Sequence, residues 1–484
     1  MDGRWRFSYS DGAWRNGKLI HDADIVVVGG GPGGMAAALE AANNDSSVIL
    51  VEADKHIGGN AARSTGYLCF QGFGMQDEAG ITDSADKFVA DMVAEIGRQD
   101  RRYGITFDQE LAVLFAEESP ETYKWLLELG FGFKRFLPRP KQHSVNRMVD
   151  VTDTAMFTYI FEKALEDAGV QIFTETRIRR ILEDGGKVIG VLSGSDQFLA
   201  KKGVVLATGG DQANSEIRGK FQPAAMANTP YLGTEYDVGD GHLMGQELGG
   251  DLINMTMIPP LIMVASALVE DSIAVNLEGK RFHDEAGPYD YRVDALSSQT
   301  EGLAWYIFDD RTFIDKKQLI EEMPEDPFSA ETLQGLAKKI GCEENILMQT
   351  IESWNVAVSS GVNEEPEYGR VIFPQPRVGI CEGPFHACRM VIGINFPAGG
   401  FRVTQDMQVI NVFGEPINGL FAVGDCAGGL GPVIGMGGMR ITPALTLGRV
   451  AGRNLATGLK SQEQTFENTG RIPANKMKIP VVDA

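Results

Sequence analysis

The stretch Ile25-Val26-Val27-Val28-Gly29-Gly30-Gly31-Pro32-Gly33-Gly34 decides the fold of this chain. An apolar strand runs here into a glycine-rich turn, and an alanine-rich helix follows over residues 33–42. Gly29, Gly31 and Gly34 have the spacing G-x-G-x-x-G. In this pattern the first glycine permits the tight turn, the second lets the backbone approach a pyrophosphate, and the third lets helix and strand pack closely. The helix start also directs free N–H groups toward such an anion.

A second apolar strand, Val48–Val51, ends at Glu52, about 20 residues after the turn. A carboxylate at this distance is placed to accept a hydrogen bond from a ribose hydroxyl. Glycine-rich loops are common, but strand, turn, helix, strand and acid in this order are specific. The sequence therefore predicts a site for an adenine dinucleotide.

Later segments indicate which dinucleotide binds. Gly58-Gly59-Asn60 and Ser64-Thr65-Gly66 follow the acid, Val204–Gly210 is an apolar strand ending in small residues, and Gly419–Asp425 ends in an aspartate that can bond a ribityl hydroxyl. In this order the pieces resemble the FAD-dependent fumarate reductase and 3-ketosteroid dehydrogenase superfamily, over residues 21–456. The resemblance implies FAD contacts from Gly29, Gly31, Gly33, Gly34, Glu52, Ala53, Gly59, Asn60, Ser64, Thr65, Gly66, Ile178, Ala207, Thr208, Gly209, Gly424, Asp425, Ala444 and Leu445. Relatives that link the flavin covalently use a histidine that segment 60–65 lacks, so non-covalent FAD is expected.

The resemblance also implies the architecture. It is an α/β fold in which a Rossmann-like FAD-binding domain of the glutathione-reductase type is interrupted by an α+β cap domain for substrate. Apolar spacing predicts helices over 84–96 and 107–129, and short strands over 170–173, 178–182 and 188–192. The resemblance implies that these strands form a small sheet over the adenine. The expected division is an N-terminal arm 1–20, the FAD-binding domain 21–210 with a helical insertion, the cap 211–385, the rest of the FAD-binding domain 386–460 and a tail 461–484.

Composition limits the partners. The formal net charge of −22 argues against nucleic acid, and no apolar run reaches the length of a membrane span. The five cysteines are scattered without a C-x-x-C pair, which indicates a reduced, cytoplasmic compartment, and the six histidines are equally dispersed, so no metal is expected. No second nucleotide fingerprint is present, which favours a quinone or oxygen over NAD(P)H as the redox partner.

Two segments bear on the reaction. Residues 279–289 are similar to a Gly-x-Arg-Phe-x-x-Glu stretch of fumarate reductases, in which an arginine four residues after the glutamate protonates the substrate. That position is Tyr289 here. In the 3-ketosteroid dehydrogenases the comparable tyrosine removes the proton α to the ketone, so Tyr289 is the expected base and Tyr291 the fallback. The alternative is an ordinary loop tyrosine beside Pro288.

The second segment, 435–448, ends in Pro-Ala-x-Thr-x-Gly, as in the ketosteroid dehydrogenases. Gly438 aligns with the glycine whose backbone amide contacts the substrate carbonyl, where N–H groups stabilise developing negative charge. The fumarate-binding arginine falls on Gly435 and the histidine pair on Asn395-Phe396, which disfavours fumarate reduction. Ile434 departs from the dehydrogenases, which carry a carbonyl-bonding tyrosine there.

A phenol needs a hydrogen-bonding partner or a nearby positive charge to act as a base. Tyr103 and Tyr67 are the candidates for that support, and Tyr67 also for substrate contact; the choice stays open. Arg440 is expected to bind a substrate carboxylate in a bidentate manner, the alternatives being a salt bridge to a cap-domain acid or contact with FAD. His386 is a further substrate-contact candidate, with a hinge or packing role as its alternative.

Three functions are consistent with these residues. The first is α,β-dehydrogenation of a cyclic ketone, in which tyrosine takes the α proton and flavin N5 takes the β hydride. Its substrate is a small keto acid such as 4-oxocyclohexanecarboxylate if Arg440 binds a carboxylate, or else a 3-ketosteroid. The second is reduction of an activated alkene by the reverse chemistry. The third is an electron-transfer or assembly subunit without a small ketone as substrate.

Overall fold

The computed structural model describes residues 13–15, 18–99, 104–222, 224–257, 259–263, 268–321, 323 and 325–459. Within them the largest sheet has nine strands. Five of these pair in parallel, in the order Pro416–Ala422, Asp196–Leu206, Lys18–Val28, Val48–Val51 and Gln171–Phe173. Antiparallel strands complete the sheet: Ala13–Arg15, Arg180–Asp184, Lys187–Ser193 and Gln408–Ile410.

The strand Lys18–Val28 lies between two parallel neighbours, which explains its unbroken apolar end: Ile25–Val28 is buried on both faces. Helices Pro32–Asn43 and Ile441–Thr457 pack against each other beside it. Gly448 makes this close approach possible, because a Cβ there would overlap the carbonyl oxygen of Gly33. Both helices consequently begin at the same edge of the sheet.

The expected helices and strands are found with small shifts. Segments 84–96 and 107–129 form helices Ala85–Gln99 and Gln109–Leu129. The grouping of three strands as one small sheet needs correction. Strand Gln171–Phe173 pairs in parallel with Val48–Val51, so it belongs to the main ladder, whereas the other two form the hairpin Arg180–Asp184 and Lys187–Ser193.

A second body contains a four-stranded antiparallel sheet in the order Ile273–Asn276, Ala304–Asp309, Phe385–Arg389 and Phe328–Ala330. Strand Phe385–Arg389 crosses the boundary expected at 385/386, because it pairs with Ala304–Asp309. Two short ladders then join this body to the remainder of the chain: Leu261–Ile262 with Ile392–Gly393, and Leu252–Ile253 with Gly400–Phe401. The return to the large sheet therefore comes after residue 389.

The remaining elements surround these sheets. A three-stranded sheet contains Tyr67–Cys69, Met148–Val151 and Phe133–Phe136. The other described α-helices are Gly59–Ala62, Gly74–Glu78, Met156–Asp167, Ser215–Phe221, Ala224–Ala227, Asp240–Glu247, Tyr289–Ser297, Asp310–Glu321, Leu333–Ile340 and Glu344–Ser359. Short 3₁₀ turns span Thr300–Gly302 and Gly424–Cys426.

The two expected terminal segments fall largely outside the described residues. Of the arm 1–20, strand Ala13–Arg15 pairs with the start of Lys18–Val28, so the sheet already begins within the arm. The tail 461–484 lies outside the described part of the chain. Among the described helices, none combines the length and the apolar character needed to cross a membrane.

Candidate active site

A cavity is lined both by residues at the carboxyl edge of the large sheet and by residues toward the second body. Most of the expected cofactor residues line it: Gly29, Gly31, Gly33, Glu52, Ala53, Gly59, Asn60, Ser64, Thr65, Ile178, Ala207, Thr208, Gly209, Gly424, Asp425 and Ala444. The structure places Gly34, Gly66 and Leu445 outside this lining. A Cβ on Gly34 would overlap the carbonyl oxygen of Gly29, Gly66 packs on Val151, and Leu445 is buried in the core, so these three shape the site through packing.

The glycine turn has the geometry that its sequence predicts. Gly29 has φ +108°, a left-handed conformation, and a Cβ there would overlap the Ala207 carbonyl. Gly31 faces open space, since a Cβ would meet no protein atom within 4 Å. Helix Pro32–Asn43 has no side-chain cap at its start. Its first N–H groups are therefore available to an anion in the cavity.

Replacing Gly31 by alanine is expected to leave the fold intact but weaken FAD binding. The added methyl group meets no protein atom, yet it enters the space that the cofactor needs. Overpacking of this kind costs about 1–3 kcal/mol, or about 5- to 150-fold in affinity. Titration of apoprotein with FAD, followed by flavin fluorescence, measures the change. Thermal unfolding of the two apoproteins is the control, and equal FAD affinities would contradict the prediction.

Glu52 is held rigidly at the cavity wall. Its Oε2 accepts a hydrogen bond from the Gly30 N–H at 2.6 Å, and its Oε1 accepts one from the Asp54 N–H at 2.7 Å. Burial raises the pKa of Glu52 despite these bonds. Nearby, Arg177 donates to both Asp240 oxygens at 2.5 and 2.9 Å, and this pair also lines the cavity. The acid that the motif predicts is thus oriented for a sugar hydroxyl.

Two further carboxyl groups face the cavity. Asp237 accepts hydrogen bonds from Asn60 Nδ2 at 2.6 Å and from the Tyr231 hydroxyl at 2.5 Å, and burial raises the pKa of Asp237 to about 7. Burial also raises the pKa of Asp425. The sequence analysis did not predict Asp237 as a site residue because no motif contains it. Asp237 contacts Asn60 only in the folded chain.

These residues fit FAD. An uncapped helix start, at Pro32–Asn43, suits a pyrophosphate, and a fixed carboxylate suits a ribose. Helix Ile441–Thr457 also begins at the cavity without a side-chain cap, which offers N–H groups to an electron-rich ring edge. The cavity passes Ile178 and reaches Asp425, both expected contacts.

The end of the cavity toward the second body brings together the residues expected to act on substrate: Tyr67, Tyr289, Gly438 and Arg440. Gly438 has φ +81°, and a Cβ there would lie 2.8 Å from the Cys69 nitrogen, so no other residue fits without strain. The walls between them are mostly apolar and come from Leu232, Leu261, Ile262, Asn395 and Phe396. These residues therefore bring two phenols, one guanidinium and several apolar side chains to the same cavity.

Arg440 stands at the start of helix Ile441–Thr457. Its Nη1 and Nη2 donate to the carbonyl oxygens of Pro397 at 3.2 Å and Gly431 at 2.6 Å, and its guanidinium lies 4.0 Å from the ring centroid of Phe396. Burial lowers the pKa of Arg440 to about 10, partly offset by Asp425. Within the described chain it has no ion pair with an acid of the second body. The remaining N–H groups of its fork stay available to a ligand.

Tyr67 has a charged partner. Its hydroxyl donates to Glu270 Oε2 at 3.1 Å, and Arg139 Nη2 donates to Glu270 Oε1 at 2.7 Å. Burial, with the Glu270 charge, raises the pKa of Tyr67 well above its usual value, so Tyr67 is a neutral phenol. Tyr103, the other candidate for support of the base, lies outside the described residues.

Two expected substrate residues lie away from the cavity lining. Tyr291 is 48% exposed, because a residue two positions from Tyr289 faces the other side of helix Tyr289–Ser297. His386 is 4% exposed in the second body's sheet. Its Nδ1 is 2.8 Å from Ser329 Oγ, and its ring stacks on Phe313 at 4.4 Å. The suggested substrate roles are corrected accordingly: His386 has a packing role.

Several lining residues were not anticipated from the sequence as ligand contacts. They are Asp54, His56, Arg63, Thr176, Arg177, Leu232, Gly233, Thr234, Tyr236, Asp237, Asp240, Leu261, Ile262 and Ile441. Most come from segments without a recognisable motif and reach the cavity through folding. The position of Arg177, directly before the expected contact Ile178, is the signal that could have pointed to one of them.

Comparison with known proteins places this geometry in a family. Residues 24–441 match the FAD binding domain family. The probable fumarate reductase Ifc3 of Shewanella frigidimarina is 27% identical over 94% of this chain and 79% of its own length. The 3-oxosteroid 1-dehydrogenase of Mycolicibacterium smegmatis is 29% identical over 60% of each chain. The structure of 3-ketosteroid-Δ4-(5α)-dehydrogenase from Rhodococcus jostii RHA1 is 25% identical, with a TM-score of 0.64 over 90% of this chain and 97% of the other.

These relatives include both reductases and dehydrogenases, and their shared chemistry is oxidation or reduction at a pair of carbon atoms. The cavity carries the residues that FAD requires along its length. The chain belongs to the FAD binding domain family, in the superfamily of fumarate reductases and 3-ketosteroid dehydrogenases, and is an FAD-dependent oxidoreductase acting on CH–CH groups.

Proposed function

We propose that this protein catalyses the α,β-dehydrogenation of a cyclic ketone. The observation that carries the proposal is that Tyr289, Gly438 and Arg440 line the same cavity as the FAD-binding residues. By the resemblance to the fumarate reductases, Tyr289 takes the place of their proton-donating arginine, Gly435 that of the fumarate-binding arginine, and Asn395-Phe396 that of the histidine pair. A dicarboxylate would therefore lack its partners, whereas a ketone has a tyrosine and a glycine turn.

Each residue has a defined role in this reaction. The Gly438 N–H donates to the ketone oxygen and stabilises the charge that develops there. The Tyr289 phenolate takes the α proton, so a C–H bond breaks and the phenol O–H bond forms. FAD, when bound, supplies the acceptor for the hydride that leaves the β carbon. The product is the α,β-unsaturated ketone, and Tyr289 returns its proton to solvent.

The substrate class follows from Arg440 and the apolar walls. A guanidinium with free N–H groups binds a carboxylate, while Leu232, Leu261 and Ile262 contact a saturated ring. We therefore propose a small cyclic keto acid such as 4-oxocyclohexanecarboxylate. We also assign the second body as a cap over a Rossmann-like FAD domain, with FAD bound non-covalently and a quinone or oxygen as the electron acceptor.

A second candidate is the reduction of an activated alkene. The similarity to a probable fumarate reductase over 94% of this chain favours it. The same residues serve both directions, because a tyrosine that removes a proton can also return it. The electron donor or acceptor available to the protein then decides the direction of the reaction.

Anaerobic bleaching of the visible flavin absorbance tests these candidates. The panel contains 4-oxocyclohexanecarboxylate, cyclohexanone and a 3-ketosteroid, with succinate as the control. Bleaching by the keto acid alone supports the dehydrogenase and the role of Arg440. Bleaching by the steroid keeps the chemistry and discards the carboxylate contact. If no ketone bleaches the flavin but an enone reoxidises the reduced protein, the reductase is favoured and the dehydrogenase is rejected.

A further inference from the structure

Tyr289 has a cation stacked on its ring. Arg292 follows it by three residues in helix Tyr289–Ser297, a spacing that makes two side chains neighbours. The guanidinium carbon of Arg292 lies 4.6 Å from the centroid of the Tyr289 ring. Arg292 is only 3% exposed, so water screens this contact little.

Arg292 lacks the acidic partners that its arginine neighbours have. Arg281 pairs with Glu285 at 2.7 Å and also with Glu365, and Arg370 pairs with the same Glu285 at 3.0 Å. In the described part of the chain, by contrast, Arg292 Nε and Nη1 make no hydrogen bond, and Arg292 forms no ion pair. A buried charge without a counter-charge is costly, and any anion formed beside it relieves that cost.

The other arginines around Tyr289 each have an acid nearby. Arg139, which influences Tyr289 from the side of Tyr67, is paired with Glu270 at 2.7 Å. Arg440 faces both Tyr289 and the Asp425 carboxyl. The next residue along the helix, Asp290, is ion-paired with Arg98.

Two buried titratable groups lie close behind the stack, His283 and Tyr306. Burial raises the pKa of Tyr306, so this tyrosine beside Arg292 is a neutral phenol. His283 is fully buried beside Arg292, and burial lowers the pKa of His283 to about 4, so it is neutral near pH 7. Neither group adds a charge to the balance around Tyr289. Within the described part of the chain, Arg292 is therefore a cation at this tyrosine with no acid paired to it, whereas Arg139 pairs with Glu270 and Arg440 faces Asp425.

We infer that Arg292 is a positioning residue that stabilises the anionic phenolate of Tyr289. A phenolate spreads its negative charge into the ring, and the guanidinium lies over that ring. An anionic Tyr289 would in turn supply the counter-charge that Arg292 lacks among the described residues. The link to catalysis rests on the proposed function, but the stacking and its effect on phenolate formation do not.

The test is an alkaline titration of the FAD-loaded protein, followed by phenolate absorbance in the near-ultraviolet. Subtracting the same titration of Tyr289→Phe isolates the signal of Tyr289 and cancels that of the flavin. In Arg292→Gln and Arg292→Met the midpoint is expected to rise by about 1–2 pH units, as for loss of a charge at 4–6 Å. Arg292→Lys is expected to lie between these variants and the parent, because an ammonium keeps the charge but not the planar stack.

Arg449→Gln is the matched control. Arg449 also stacks on an aromatic ring, at 4.9 Å from Trp125, but it is paired with Glu40. Its removal is expected to leave the midpoint unchanged. An unchanged midpoint in the Arg292 variants overturns the inference. If neither neutral variant binds FAD, the titration of Arg292→Lys is used instead. A phenolate midpoint in Arg292→Lys equal to that of the parent then overturns the inference.

Stopped-flow flavin reduction by a ketone separates this inference from the proposed function. The pH at half-maximal rate should rise in the Arg292 variants by the same amount as the phenolate midpoint. If no ketone reduces the parent, the proposed function fails, and the absorbance titration still judges Arg292. If a ketone reduces the parent but the midpoint does not move, only the role of Arg292 fails.

Discussion

Tyr289→Phe is expected to slow ketone-dependent flavin reduction by about 10³-fold while FAD stays bound, because the variant loses the group that takes the α proton. The ring remains, so its contact with Arg292 and the cavity wall are kept. Anaerobic stopped-flow measurement of flavin reduction gives the rate, and the flavin spectrum after gel filtration reports FAD occupancy.

The matched control lies on the same helix. Tyr291→Phe removes an equal hydroxyl from a side chain that is 48% exposed and outside the cavity lining, so its rate should equal that of the parent. A Tyr289→Phe protein that keeps full activity would remove Tyr289 from the reaction and leave the proton transfer to another group. A loss in Tyr291→Phe but not in Tyr289→Phe would reverse the assignment of the two tyrosines.

Arg440→Met is expected to lower kcat/KM for a cyclic keto acid by about 10²-fold, or about 2–3 kcal/mol. The kcat/KM for the uncharged ketone is expected to change little. Hydrogen bonds to a charged group have this strength when they are desolvated. The pair of substrates isolates the carboxylate contact, since both meet the same tyrosine and glycine. Steady-state kinetics with 4-oxocyclohexanecarboxylate and cyclohexanone measure the two constants.

Arg440 also holds two carbonyl groups, those of Pro397 and Gly431, so a structural loss must be distinguished from a binding loss. A structural loss lowers kcat/KM for both substrates together and lowers the unfolding temperature. Arg440→Lys keeps the charge without the planar fork and should recover part of the preference for the acid. Equal losses for the two substrates in both variants would reject the carboxylate contact.

The FAD-binding half was predictable because its signals are local. Gly29 and Gly31 serve a turn whose geometry depends on a few adjacent residues, and Glu52 lies at a set distance along the chain. The position of Tyr289 at the cavity was expected through its motif, and the structure places it there. The sheet edge also collects Thr208 and Asp425, since parallel strands end on the same side.

Other features needed the folded chain. His386 sits in a strand that pairs with Ala304–Asp309, a contact across about 80 residues that no local pattern encodes. Tyr289 and Tyr291 are two positions apart in the sequence. Their side chains lie on opposite faces only because this segment forms a helix. The Arg440 bonds to two carbonyl groups likewise depend on where two distant loops pass.

The amino-acid sequence by itself determined the dinucleotide turn and the acid that follows it, because both depend on residues close together in the chain. Tyr289 as the base was expected from the family resemblance and stays a prediction. The tertiary structure decided which charged groups surround Tyr289: among the described residues it pairs Arg139 with Glu270 and gives Arg292 no ion pair with an acid. The physical reason is that electrostatic interactions depend on distance and burial, and the fold sets both for residues far apart in sequence.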